Sequence, residues 1–238
     1  MNTDENGYRI FEKPYSQSID YLLLGDGVIA GWAYPNQDTL EYQINELLVY
    51  DTSHMKVLNL AVPGYGTIQQ YLQLENFLNM TDYNIKNVVL LFNSDNDFFN
   101  NSQIMYGLPF FKDNKFNFAE KKYLNFFNEY FTFFYTYRFL QNIKSFILES
   151  VFNRNQVLKT FEYNQDTINN TKQILDMMKN ILTEKNINFY IIILGNNCKY
   201  IEGYCLKDKS SIKIDTNEIG HFDINSLKKL SQVIMDLK

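Results

Sequence analysis

The sequence predicts an α/β protein in which parallel strands alternate with helices in a doubly wound sheet. Short apolar runs suited to buried strands recur along the chain, and the clearest covers 86–92. Segments with apolar residues three and four apart, typical of amphipathic helices, stand between these runs. Several runs end in glycine or polar turn residues, as expected at the carboxyl ends of parallel strands. Together the three observations indicate βαβ units.

The amino-terminal half holds three of the predicted strands. We expect them at 19–24, 56–60 and 86–92, after a polar start in which Pro14 disfavours a helix. Two helices are predicted between the strands. Their apolar positions at helical spacing are Leu40, Ile44, Leu47 and Leu48 in the first, and Ile68, Leu72, Leu74 and Leu78 in the second.

A long insert at about 98–163 then interrupts the alternation. Half of the residues in 116–139 are Phe or Tyr. Helical spacing places six of them on one face: Phe126, Phe127, Tyr130, Phe131, Phe134 and Tyr137. Core packing against the sheet is the commoner meaning of such a face, and a lid or a binding surface for an acyl group or a partner is the alternative.

The rest of the chain returns to the alternating pattern. It predicts a helix over 166–182, a strand over 188–194, a last strand over 211–214 and a final helix over 224–237. Cys198 and Cys205 lie in the loop between, where a disulfide and two free thiols are both open interpretations.

Length and charge narrow the function classes. The 238 residues suit one α/β domain with a substantial core. A formal charge of −5 without a basic stripe argues against a nucleic-acid partner. Residues 1–19 have no apolar core, so we expect no signal peptide: the protein is cytoplasmic, or it is a secreted or periplasmic protein whose leader has been removed. Polar residues interrupt the aromatic insert, so we expect no transmembrane segment.

Polar residues suited to chemistry follow the predicted strands. The turn Gly25-Asp26-Gly27 ends the first strand, 63–67 follows the second and 94–97 follows the third. A doubly wound sheet brings these ends to one edge. The chain has two histidines: His54 precedes a strand, at the opposite edge, whereas His221 lies between the last strand and the last helix.

Four of these segments, in chain order, resemble the sequence blocks of the SGNH hydrolases, also called GDSL esterases. That family has Gly-Asp-Ser after the first strand, a glycine after the second, Gly-x-Asn-Asp after the third and Asp-x-x-His near the carboxyl terminus. The segments here are 25–27 (Gly-Asp-Gly), Gly64, 94–97 (Ser-Asp-Asn-Asp) and 218–221 (Glu-Ile-Gly-His). The resemblance implies a three-layer α/β/α fold with a flavodoxin-like parallel sheet of about five strands. It covers nearly the whole chain, as a single domain over 1–238.

The resemblance also implies roles for individual residues. His221 corresponds to the general base and Glu218 to the acid that orients it, with Asp215 as a rival. The backbone N–H groups of Gly27 and Gly64 and the side-chain amide of Asn96 correspond to the oxyanion hole. Four further residues are expected in the substrate cleft: Asp26, Trp32, Tyr65 and Asp97. For Trp32 a buried packing role is an equally open interpretation.

The chain departs from the family at the nucleophile, because Gly27 stands where the family has serine. Loss of a triad nucleophile typically removes on the order of 10⁶ in rate. Three explanations stay open. Gly27 is an engineered change that silences an esterase, or the natural protein is a binding or scaffold protein, or a water activated by His221 replaces the serine. Glu218 for aspartate and Ser94 for glycine are milder departures.

The reaction that the resemblance implies is hydrolysis or transfer of a small O-acyl group, commonly acetyl on a carbohydrate, through an acyl-serine. The implied partner is therefore a small acyl ester or an acylated carbohydrate, with no metal or organic cofactor. With Gly27 present we expect an inactive enzyme scaffold. The alternative is a natural pseudoenzyme that binds a glycan or an acyl group.

Overall fold

A computed structural model describes residues 18–31, 34–49, 57–94, 97–102, 109–112, 115–118, 164–194, 200–201 and 224–237. The described strands are β1 (Ser18–Leu24), β2 (Val57–Asn59), β3 (Asn84–Asn93), β4 (Pro109–Lys112), β5 (Lys115–Phe118) and β6 (Asn188–Leu194). The described helices are α1 (Gly27–Ala30), α2 (Leu40–Val49), α3 (Thr67–Met80), α4 (Asp97–Ser102), α5 (Gln165–Glu184) and α6 (Ile224–Met235), with a 3₁₀ turn at Asn36–Asp38.

The main sheet is parallel, as the sequence predicts. Its described strands run in the order β2-β1-β3-β6, with every neighbouring pair parallel. β1 therefore lies between the second and third strands, which is the flavodoxin-like arrangement. The predicted strands and helices that lie within the described residues begin and end within three residues of their predicted bounds, whereas β4, β5 and α4 are not among the predicted elements. The further strand predicted at 211–214 lies outside the described residues. Within the described residues, four strands form the main sheet.

Helices cover both faces of this sheet. On one face, α2 and α6 pack over the odd-numbered side chains of β1 and β3 and the even-numbered ones of β6, with Ile44 and Ile234 fully buried. The Tyr21 hydroxyl donates to the Leu237 carbonyl at 3.0 Å and ties the end of the chain to β1. Since successive side chains of a strand point to opposite faces, the remaining strand residues form a second core layer.

The second layer lies under α3, α4 and α5. Phe92 of β3 meets Phe98 of α4 edge to face, with ring centroids 5.0 Å apart. Asn101 of α4 in turn bonds to Thr67 of α3 and Thr171 of α5. The fold is therefore the three-layer α/β/α sandwich that the sequence predicts. In the part of the chain that the structure describes, no helix has the length and hydropathy of a membrane span.

Contacts divide the chain into two compact units, 1–103 with 166–238 and, separately, 104–165. In the second unit, β4 and β5 form an antiparallel hairpin in which the rings of Phe111 and Phe116 lie 5.1 Å apart. The helix predicted for the aromatic face 126–137 lies outside the described residues. A single domain with a helical insert thus stays a prediction.

The first testable expectation concerns the packing of α6. Replacing the fully buried Leu230 by alanine leaves a cavity in the layer under α2 and α6, so Leu230→Ala should lower the free energy of unfolding by about 2–5 kcal/mol. The exposed neighbour provides the control, because Lys229→Ala should change it by less than about 0.5 kcal/mol. Urea unfolding measures both. Equal effects would contradict the assigned orientation of α6.

Candidate active site at the carboxyl edge of the sheet

The turn after β1 starts a short helix at Gly27. The Asp26 carbonyl accepts the N–H groups of Ile29 at 3.2 Å and Ala30 at 3.0 Å, which closes the first turn of α1. A Cβ atom at Gly25 would lie 2.7 Å from Ile29 Cγ1, closer than packed atoms tolerate. Gly25 is thus required for the close approach of the strand end to α1. The strand, tight turn and helix that the sequence predicts here are all present.

The turn after β2 lies beside the first one. Val62 N–H donates to the Gly25 carbonyl at 3.2 Å, so the two turns are joined directly. Gly64 has a φ of +81°, a conformation that favours glycine. Gly66 then caps α3, and its N–H donates to Gln69 Oε1 at 3.0 Å. Gln70 Nε2 donates to the Tyr65 carbonyl at 3.3 Å, which fixes the turn to the helix behind it.

The end of β3 is connected to the β1 turn through Asn93. Its side-chain Nδ2 donates to Asp26 Oδ2 at 3.2 Å, and its backbone N–H donates to Asp97 Oδ2 at 2.9 Å. Ser94 N–H continues the sheet by donating to the Leu194 carbonyl at 2.8 Å. Sequence reasoning missed Asn93. The available signal was an amide residue at the end of an otherwise apolar strand, next to a predicted site.

Two buried carboxyl groups meet at this point. Asp26 is 3% exposed and Asp97 is fully buried. Among the described residues, no group donates a hydrogen bond to Asp97 Oδ1. Burial raises the pKa of the Asp97 carboxyl well above its ordinary value, and the negative charge of Asp26 raises it further. The hydrogen bond from Asn93 N–H opposes both effects on this pKa, since it favours the ionised form.

A second polar cluster, formed by Asn101, Thr67 and Thr171, fixes the start of α3 next to the Gly64 turn. Asn101 Nδ2 donates to the hydroxyl oxygens of Thr67 and Thr171, each at 3.0 Å, and the Thr171 hydroxyl donates to the Thr167 carbonyl at 2.8 Å. A Cβ atom at Gly66 would lie 2.9 Å from Asn101 Oδ1. The start of α3 is therefore held between α4 and α5, and Gly66 has little room for a side chain.

The structure places half of the predicted site residues. Three strand-end turns meet at the carboxyl edge of the sheet and carry Asp26, Gly27, Gly64, Tyr65 and Asp97. The other five lie outside the described residues: Trp32, Asn96, Asp215, Glu218 and His221. The roles predicted for all ten residues thus remain predictions, those of the base, its orienting acid and the three oxyanion donors included.

A surface groove of about 490 Å³ lies elsewhere in the fold. It is formed by the end of α5 and the start of β6, with Lys179, Asn186 and Phe189 among its lining residues. This is the amino end of β6, away from the three turns. The groove is therefore not part of the candidate site.

No family model matches the chain, and no curated protein matches it in sequence. Its fold is similar to solved structures at low identity. With TesA the TM-score is 0.49 at 11% identity, covering 91% of this chain and 96% of that one. With the psychrotrophic esterase EstA from Pseudoalteromonas sp. it is 0.46 at 9% identity, covering 92% and 94%. With AlinE4, an SGNH-hydrolase family esterase, it is 0.44 at 10% identity, covering 94% and 100%.

Proteins of the SGNH-hydrolase and G-D-S-L families are thus among the structures that this fold resembles.

The geometry of the first turn generates a second prediction. Gly25→Ala should lower the free energy of unfolding by about 1–3 kcal/mol, because the new methyl group meets Ile29. Gly64→Ala should lower the free energy of unfolding by about 1–2 kcal/mol for a different reason, because alanine is strained in the left-handed backbone conformation of Gly64. Steric contact is not the cause, since nothing lies within 4 Å of a Cβ atom there. Thermal unfolding monitored by circular dichroism measures both costs.

A double-mutant cycle separates the two causes. In an Ile29→Ala background the cost of Gly25→Ala should fall, because part of the clashing side chain is gone, and the cost of Gly64→Ala should not change. An undiminished cost of Gly25→Ala in that background would contradict the contact with Ile29.

Proposed function

We propose that the chain is an ester hydrolase or O-acyl transferase scaffold of SGNH type, and that Gly27 prevents catalysis. The observation that carries the proposal is the joining of three strand-end turns, with Gly27 as the first residue of α1 between them. A side chain at position 27 would project from the sharp strand-to-helix turn where α/β hydrolytic enzymes commonly place a nucleophile.

The proposed chemistry needs one oxygen atom at position 27. A serine hydroxyl there would attack the carbonyl carbon of an ester while its proton passes to the His221 imidazole. Glu218, or its rival Asp215, would hold the imidazole in the required orientation. The alcohol leaves with that proton, and water or an acceptor alcohol then releases the acyl group from the serine.

Charge that develops on the carbonyl oxygen needs hydrogen-bond donors already in place. We assign this role to the N–H groups of Gly27 and Gly64 and to the amide of Asn96. The bond from Val62 to Gly25 supports the assignment, because it fixes the Gly64 turn to the Gly27 turn before any substrate binds. The substrate class is a small acyl ester, and an acetylated carbohydrate is the particular form that we propose.

A second candidate function follows from Gly27 itself. A chain that keeps the turns and lacks the nucleophile is suited to holding an acyl or glycan group without cleaving it. In this interpretation the protein is a natural pseudoenzyme that serves as a binding or scaffold protein. The two functions differ in whether the remaining residues can perform catalysis once a hydroxyl is supplied.

Restoring the hydroxyl tests the proposal. Gly27→Ser should hydrolyse p-nitrophenyl acetate roughly 10³-fold or more faster than the parent chain, since a working triad nucleophile contributes on the order of 10⁶. Adding His221→Ala should abolish the gain, because the serine then loses its base. Release of p-nitrophenolate measures the rate, and a burst in its first turnover reports the acyl-serine.

The controls decide between the two functions. Gly27→Ala adds a side chain without a hydroxyl and should stay at the rate of the parent. If folded Gly27→Ser stays equally inert, the esterase scaffold is rejected. Binding of acetylated sugars to the parent chain, measured by calorimetry, then becomes the expected result for the pseudoenzyme.

A further inference from the structure

We propose that Asp97 is a positioning residue that stays protonated at neutral pH. Acting through Asn93, it holds Asp26 and with it the turn at Gly27. The inference deepens the proposed function, and its catalytic consequence rests on that function. Its structural consequence, a pH dependence of stability, does not rest on the proposed function. The two consequences can be measured separately.

A continuous set of contacts leads from Asp97 to the turn. Asp97 Oδ2 accepts the Asn93 N–H at 2.9 Å, which fixes the last residue of β3 relative to the first turn of α4. The Asn93 side chain donates to Asp26 Oδ2 at 3.2 Å. The carbonyl of the same Asp26 accepts the N–H groups that begin α1. Displacing Asp97 therefore displaces Asn93, and through it the residue that precedes Gly27.

The surroundings of Asp97 favour the neutral acid. Its side chain is fully buried, and Oδ1 receives no hydrogen bond from any described residue. A buried carboxylate is stable only when it is paired or well solvated by donors. Of the described titratable groups, the one whose charge acts on Asp97 is the acidic Asp26. The elevated pKa of Asp97 agrees with this interpretation.

The proposed proton is compatible with the contact to Asn93. Oδ2 accepts the Asn93 N–H, so a proton on the other oxygen, Oδ1, leaves this hydrogen bond in place. Ionisation would put a second negative charge next to the bond between Asn93 and Asp26. Repulsion between the two carboxylates would then strain that bond and move the Gly27 turn. Asparagine copies the neutral acid closely, because its carbonyl oxygen can accept the Asn93 N–H while its amide group replaces the protonated oxygen.

The stability of Asp97→Asn as a function of pH is the first test. Asp97 has a folded-state pKa above its value of about 3.9 in an unfolded chain, so above pH ~4 the folded parent binds more protons than the unfolded parent. The parent therefore loses stability as pH rises from there to the folded-state pKa, and Asp97→Asn does not. The ratio of the unfolding constant of the parent to that of the variant should increase by up to about tenfold per pH unit.

The opposite slope would overturn the inference. If Asp97 were an ordinary carboxylate stabilised by the Asn93 N–H, the parent would gain stability relative to the variant as pH rises. Asp20→Asn is the matched control, since Asp20 is also a buried carboxyl group of this sheet but forms a salt bridge with Lys86. Because it loses that salt bridge, the Asp20→Asn variant should be less stable than the parent at neutral pH. Infrared spectroscopy in D₂O should show a protonated-carboxyl C=O band that Asp97→Asn removes.

The catalytic consequence is measured in the Gly27→Ser chain. There kcat should fall at high pH as Asp97 ionises, and the added Asp97→Asn change should remove that fall. Asp97→Ala, which breaks the contact with Asn93, should lower kcat tenfold or more and alter KM less, as expected when a residue acts on position 27 and not on the ester. A pH profile that Asp97→Asn leaves unchanged would reject this role. If Gly27→Ser has no activity, the pH dependence of the stability of the parent relative to Asp97→Asn and the infrared band still decide the protonation of Asp97.

Discussion

The in-register pairing of β1 with β3 is the constraint on which the candidate site depends. Leu24, the last residue of β1, lies opposite Leu90, and β3 continues for three more residues to Asn93. Asn93 can then contact Asp26 from the neighbouring strand. A slip of one residue would move Asn93 by about 3.3 Å and turn each buried side chain of one strand to the other face. Two filled core layers oppose such a slip, so hydrophobic packing far from the site sets the distance between its polar groups.

Polar groups at the edge of the sheet are held by bonds to other polar groups, and some lack a partner. Among the described residues, Asp97 Oδ1, Asn101 Oδ1 and Gln70 Oε1 are buried and have no hydrogen-bond partner. All three belong to side chains that hold the strand-end turns. An unpaired buried hydrogen-bonding group costs about 1–3 kcal/mol. The turns are therefore positioned at some expense of stability, in the part of the molecule where chemistry is proposed.

The features that can be predicted from the sequence are those encoded by a local pattern of residues. The strand at 188–194 was predictable from an unbroken apolar run, and α5 from apolar residues at helical spacing. Gly25 and Gly64 stood out because tight turns favour glycine. Asn93 and Asn101 did not stand out, because their partners lie 67 and 70 residues away at Asp26 and Thr171. No local period encodes such pairs, and only the folded sheet brings them together.

The contacts that build the first turn and the chemistry proposed for it use different residues, which explains how the proposed nucleophile position can hold glycine in an ordered scaffold. Gly25 is fixed by its contact with Ile29, and Asp26 by its bonds to Asn93 and to the first turn of α1. Neither set of contacts involves a side chain at position 27. Glycine as the first residue of α1 therefore leaves these contacts intact. Under the proposed function, a change between serine and glycine there alters the reactivity of the turn and leaves the interactions that build it in place.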